Sequence, residues 1–177
     1  MPEITIRPAV PADIPLILSL IRELADYERE PAAAVATPED LLRDGFGPVK
    51  RFHCLIAELP DPPGLPLTAE NSQLITPVGF ALYFYNYSTW RGHTGIYLED
   101  LFVRPQHRGL GVGKALLSKV AAIAVAESCP RLEWAVLNWN TPAIDFYNSL
   151  GALPMSEWTT MRLSGDALPA LATRVTS

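Results

Sequence analysis

Apolar positions along the chain switch between a period of two and a period of three to four, and those switches predict its elements. Ile4-Thr5-Ile6-Arg7 alternates as a short strand. Ile14, Ile17, Leu18, Ile21, Leu24 and Ala25 then recur at helical spacing, with Asp13 as N-cap and Pro15 in the first turn. A second helix opens at Thr37-Pro38-Glu39-Asp40: threonine caps, proline suits the first position and the acids suit the positive dipole end. Gly45 is expected to stop it. Phe52–Leu59 and Val78–Tyr87 read as strands, and between them Pro60–Pro77 holds five prolines in 18 residues, the mark of a long surface loop. Ile96–Val103 is a fourth strand, followed by a glycine-rich turn and a helix from Gly111 to Glu127 with Leu116, Leu117, Val120, Ile123 and Ala124 as its buried stripe. Leu132–Leu137 reads as a fifth strand, Thr141-Pro142 opens a short helix that Gly151 stops, and Glu157–Leu163 is expected to return as a final strand. Strands and helices mix as in an α/β or α+β layer.

Composition narrows this further. At about 150 residues per domain, 177 residues predict a single domain over 1–177, and 49% apolar content excludes global disorder. Against 19 Asp and Glu there are 14 Lys and Arg, a net charge of -5, which argues against a nucleic-acid partner. Cys54 and Cys129 form no CxxC pair and the three histidines show no zinc spacing, so no metal is expected. The first apolar stretch, Ile14–Ile21, follows Glu3, Arg7 and Asp13 and falls far short of a membrane span, so it reads neither as a signal peptide nor as an anchor. The expectation is a reduced, cytoplasmic protein.

The segment Arg108-Gly109-Leu110-Gly111-Val112-Gly113-Lys114 lies between a strand and a helix. The first N–H groups of a helix lack partners and its dipole is positive there, so a phosphate binds readily, and glycines let the backbone approach it. No acid occurs from Leu101 to Ala126. The Rossmann fingerprint fails because Lys114 stands where its last glycine belongs; the P-loop fails at Arg108 and Ala115. The bland alternative is a strand-to-helix turn whose glycines serve tight packing.

The arrangement Arg108-Gly109-Leu110-Gly111-Val112-Gly113 resembles the acetyl-CoA-binding motif of GNAT-type N-acetyltransferases. Ile6-Arg7-Pro8-Ala9, Glu23-Leu24-Ala25-x-Tyr27-Glu28, Asp44-Gly45-Phe46-Gly47, Tyr97-Leu98-Glu99-Asp100-Leu101-Phe102-Val103, Trp139-Asn140-x-Pro142 and Phe146-Tyr147-x-x-x-Gly151 resemble, in order, the diamine (spermidine/spermine) and thialysine branch. The resemblance implies a GNAT-like α/β fold: a mixed, mostly antiparallel twisted sheet with splayed central parallel strands, flanked by helices. It implies acetyl-CoA along Leu101, Phe102 and Val103, with its pyrophosphate on Arg108, Gly109, Leu110, Gly111, Val112, Gly113 and Lys114. Asn140 and Tyr147 would border the cofactor, Tyr27 and Glu28 would meet the amine, and the molecule would be a homodimer.

The chemistry asked of these residues is definite. A lysine-like ammonium, pKa near 10.4, costs about 4.6 kcal/mol to deprotonate at pH 7, so a base is needed. Glu99 is the candidate, because it alternates with Tyr97, Leu101 and Val103 and partial burial among apolar neighbours would raise its pKa. Asp100, one position on, reads as structural. A backbone N–H near Val103 would stabilise the thioester oxygen and Tyr147 would reprotonate the leaving thiolate. Asp26, Glu28 and Glu30 crowd a helix C-terminus, which fits a cationic ligand, and Tyr85 joins Trp90 as a candidate wall of the amine channel. The expected activity is direct acetyl transfer to a small diamine, polyamine or aminoalkyl amine. The alternatives are an amino-acid (thialysine-like) or protein amine, or a non-catalytic CoA-binding module.

Overall fold

The alternating segments pair into one five-stranded sheet of order β1-β2-β3-β4-β5. The computed structural model describes residues 3–60 and 75–173. Its strands are β1 (Thr5–Pro8), β2 (His53–Pro60), β3 (Ile75–Ser88), β4 (His93–Val103) and β5 (Leu132–Trp134). Neighbours from β1 to β4 run antiparallel, whereas β4 and β5 run parallel. The strands claim both ends of the expected 60–77 loop; its remainder lies outside the described residues.

Helices α1 (Ile14–Tyr27) and α2 (Pro38–Phe46) cover one face of the sheet, and α3 (Val112–Ala126) packs against the sheet as well. Ile14, Ile17, Leu18 and Leu20 of α1 bury against Leu41 of α2 and against Cys54, Ile56, Phe80, Leu82 and Phe102 of the sheet. Helix α3 buries Val112, Leu116, Leu117, Val120 and Ala124, the stripe its periodicity predicts save for the half-buried Ile123. Thr37 caps α2 as expected: its Oγ1 accepts from the Asp40 amide at 3.2 Å while Asp40 Oδ2 accepts from the Thr37 amide at 3.1 Å. Asp13 stands at the N-cap of α1, but its carboxylate makes no cap bond there. It accepts from both Nη atoms of Arg7, at 2.7 and 2.8 Å, and Arg7 Nε donates to Glu58 at 2.8 Å, which clamps β1, β2 and the helix start together.

Two expectations are corrected. Gly45 does not stop α2; it sits inside the helix because the Phe52 ring lies where its Cβ would be, and Gly47 is the C-cap. The final strand over 157–163 is not formed. Trp158, Met161 and Leu163 are exposed there, since alternation cannot make a strand without a neighbouring edge to pair with. The parallel pair therefore closes the described sheet at its end.

Contacts divide the chain into two compact units, Met1–Ala135 and Val136–Ser177. The first holds the sheet and α1 to α3; the second holds α4 (Thr141–Ser149) and α5 (Ala167–Ala172). Cys54 and Cys129 are both free and buried, and burial pushes the Cys54 thiol up to about 12. No described helix is long and apolar enough to cross a membrane.

Candidate active site

Strand β4 is irregular at the position that matters. Leu98 lies opposite Tyr83 and Asp100 opposite Leu82, so Glu99 is an extra residue in a β-bulge. Directly opposed residues share a face of the sheet and consecutive residues of β3 do not. Tyr97, opposite Phe84, and Leu101, opposite Ala81, therefore lie on opposite faces, and the single stripe expected from Tyr97 through Glu99 to Val103 does not exist. Asp100 and Phe102, opposite Leu82 and Phe80, instead share the face covered by α1. Glu99 is exposed and Asp100 is half-buried, so the partial burial expected of Glu99 falls on its neighbour.

Burial, then the charges of Glu99 and Glu28, push the Asp100 carboxyl up to about 7. Burial also raises Glu28, the C-cap of α1. One turn earlier, Glu23 takes Arg104 Nε at 2.9 Å and Nη2 at 2.7 Å, and Arg104 Nη1 donates to the Pro77 carbonyl at 2.9 Å. That clamp ties α1 to the end of β4 and so sets Tyr27 and Glu28 beside the bulge. The chain leaves the helix through Arg29 at φ 65°, with the Arg29 amide bonded to Asp26 O and the Glu30 amide to Ala25 O.

The glycine loop leaves its main chain open. Gly109 and Gly111 have φ of 79° and 87°, and a Cβ on Gly109 would meet nothing within 4 Å. On Gly111 it would meet only Ile4 Cδ1, at 3.9 Å, so tight packing does not explain either glycine. Gly111 is the N-cap of α3 with no side-chain cap bond, which leaves the amides of Val112, Gly113 and Lys114 without intrahelical acceptors. Alongside, β5 pairs only with Ile96, Tyr97 and Leu98, so from Glu99 to Val103 no described strand pairs with β4 on that side. Arg108 bridges the two regions. Its Nε donates to the Val103 carbonyl at 3.0 Å, and its guanidinium carbon lies 4.3 Å from the centroid of the Tyr27 ring and 5.8 Å from that of Phe102.

The structure thus gathers Tyr27, Glu28, Glu99, Leu101, Phe102, Val103 and the loop from Arg108 to Lys114 in one unit, and adds Asp100. Trp90 stands elsewhere. It lies in the β3–β4 turn, 89% exposed, two residues past Ser88, where β3 ends about 20 Å beyond Leu82 at strand rise. Tyr85 shares the opposite face with Tyr83 and His53, whose rings it meets edge-on at 6.2 and 5.4 Å. Asn140 and Tyr147 belong to the second unit. Asn140 is buried and caps α4, its Oδ1 accepting from the Ala143 amide at 3.4 Å; the half-buried Tyr147 packs its ring on Phe146 at 5.2 Å. Among the described residues no group of three His, Cys, Asp or Glu side chains is arranged to hold a metal ion.

A model of the acetyltransferase (GNAT) family matches residues 24–152, from the end of α1 through α4. The chain belongs to the GNAT acetyltransferase family. Its relatives include thialysine N-epsilon-acetyltransferase of Bos taurus, 42% identical over 96% of this chain and 97% of that one. L-ornithine N5-acetyltransferase of Arabidopsis thaliana is 33% identical over 94% of this chain and 86% of the other. Among solved structures, an integron cassette protein from the mobile metagenome of V. cholerae superposes with TM-score 0.72 at 25% identity, covering 96% of this chain and 97% of that one. The GNAT acetyltransferase described here carries its glycine loop, Tyr27, Glu28 and the β4 bulge all within the matched span.

Proposed function

We propose that this GNAT acetyltransferase moves an acetyl group from acetyl-CoA to the primary amine of a small diamine, polyamine or aminoalkyl compound by direct attack in a ternary complex. The observation that carries this reading is that Glu28 and Glu99 act electrostatically on a partly buried Asp100 in the same unit as the uncapped start of α3. Burial, and after it the charges of Glu99 and Glu28, holds Asp100 near 7; an entering ammonium offsets those charges, which gives the site a cationic preference. The names of the relatives, on thialysine and ornithine nitrogens, support an aminoalkyl acceptor. They also favour a second reading in which the acceptor is an amino-acid side chain.

The residues fit acetyl-CoA: the αL glycines leave the loop backbone open and the amides of Val112 to Lys114 face outward. Gly109 to Lys114 would hold its pyrophosphate and the main chain of Leu101 to Val103 its pantetheine. When bound, it supplies an acyl group already activated as a thioester. Asp100 takes the ammonium proton, directly or through Glu99, because a group poised near 7 both exists as a base and accepts a proton at neutral pH. A Val103 amide would steady the thioester oxygen, and the family resemblance gives Tyr147 the role of returning a proton to the thiolate. We read the chain as one acetyltransferase domain, since the family match crosses from one unit to the other. We read its assembly as a homodimer, supported by the exposed Leu153, Met155, Trp158 and Met161.

The test is acetyl-CoA-dependent thiol release with diamines, ornithine, thialysine and a lysine peptide. Turnover of diamines or simple aminoalkyl amines is expected, and Gly111→Glu should abolish both turnover and thermal stabilisation by acetyl-CoA. Preference for amino acids moves the conclusion to the second reading; no turnover of any amine overturns both.

A further inference from the structure

We infer that Arg108 is a positioning residue that couples the cofactor loop to the amine site, and not solely a phosphate ligand. The inference deepens the reading above and rests on it. Three contacts carry it. The Nε–H is committed to the Val103 carbonyl at 3.0 Å, which fixes the guanidinium against the end of β4. One flat face lies over Tyr27 at 4.3 Å, within the range in which a cation and an aromatic ring attract. Phe102 lies 5.8 Å away, on the same side of the sheet as Asp100. Tyr27 is the last residue of α1 and immediately precedes Glu28, whose charge reaches Asp100.

The consequence is a mechanical link one side chain long. Arg108 immediately precedes Gly109, whose φ of 79° begins the loop, so whatever an anion does to the loop backbone is passed to the guanidinium. With Nε held by Val103, the terminal nitrogens are the ones left to turn toward a phosphate, and doing so orders the group that steadies the Tyr27 ring. A cofactor on the loop and an amine at Glu28 and Asp100 therefore assist each other, and the assistance is reciprocal. Lysine cannot replace arginine here, because it keeps the charge and loses the flat face and the fork.

The experiment is calorimetric titration of the intact protein with 1,4-diaminobutane, with and without saturating CoA, whose free thiol permits no transfer. In the wild type, CoA should tighten diamine binding about fivefold, the size of one cation–π contact. With CoA raised until each variant is saturated, Arg108→Lys should lose the enhancement. Tyr27→Leu should lose it equally, the double variant no further, and Tyr27→Phe should keep it. Retention of the enhancement in Arg108→Lys, or additive losses in the double variant, overturns the coupling and leaves Arg108 as a phosphate ligand. A wild type that binds diamine with no response to CoA also overturns it, while the proposed function stands. A wild type that binds CoA but no diamine overturns the diamine reading and this inference with it.

Discussion

A single carboxyl separates what the sequence suggests from what the fold builds. Glu99 looked like the base because its neighbours two residues away are apolar. The bulge exposes it and turns Asp100 toward α1, where burial and two like charges raise it to about 7 from a free value of 3.8. The folded chain thus holds this proton more tightly than the unfolded chain. Its contribution to stability is full below about pH 4 and is lost as the pH rises toward 7. Asp100→Asn should accordingly gain stability over the wild type between pH 5 and 8, on the order of 2 kcal/mol by denaturant melts at the alkaline end. The same variant should lose the limb of the pH–rate profile centred near 7, whereas a profile that keeps it returns the base to Glu99. Strand alternation cannot reveal an inserted residue, since the pairing that defines a bulge is written in the partner strand.

Elements with local causes were legible. The capping box of Thr37 and Asp40, the prolines at the starts of α1, α2 and α4 and most of the stripe of α3 follow from nearest-neighbour chemistry, and each stands where the pattern put it. Elements that depend on distant partners were not: Gly45 looked like a stop because Phe52 was invisible to it, and 157–163 looked like a strand because its missing neighbour was too. Gly79 shows how tightly β3 and β4 are fitted. A Cβ there would come within 2.5 Å of the Phe102 carbonyl oxygen and 3.2 Å of Val103 Cα, both main-chain atoms that cannot swing aside. Gly79→Ala should cost about 2 kcal/mol of stability in chemical denaturation. It should also weaken acetyl-CoA binding, because the displaced segment is the one proposed to hold the pantetheine.

At the scale of the molecule, the order of motifs from Ile6 to Gly151 was enough to place the chain in its family, and a match over 24–152 bears that out. What the motifs did not convey is the distribution of apolar surface. Beyond α4, Leu153, Met155, Trp158 and Met161 are all more than half exposed, as is Trp90 in the β3–β4 turn. The four beyond α4 fall within nine residues of one another, a density of exposed large apolar side chains that suits an interface. Sedimentation equilibrium should therefore give twice the mass of one chain, and Met161→Glu with Trp158→Glu should shift the population toward single chains while leaving the β-sheet signature in circular dichroism. A wild type that sediments as one chain removes the dimer.

The two sequestered cysteines have a practical consequence for the bench. Disulfide reagents react with thiolates, and neither Cys54 nor Cys129 offers one: both are shielded from solvent and burial raises the pKa of each. A chromogenic disulfide added to the native protein should therefore stay colourless until coenzyme is liberated, so that turnover can be followed continuously, without a quench, against an almost flat baseline.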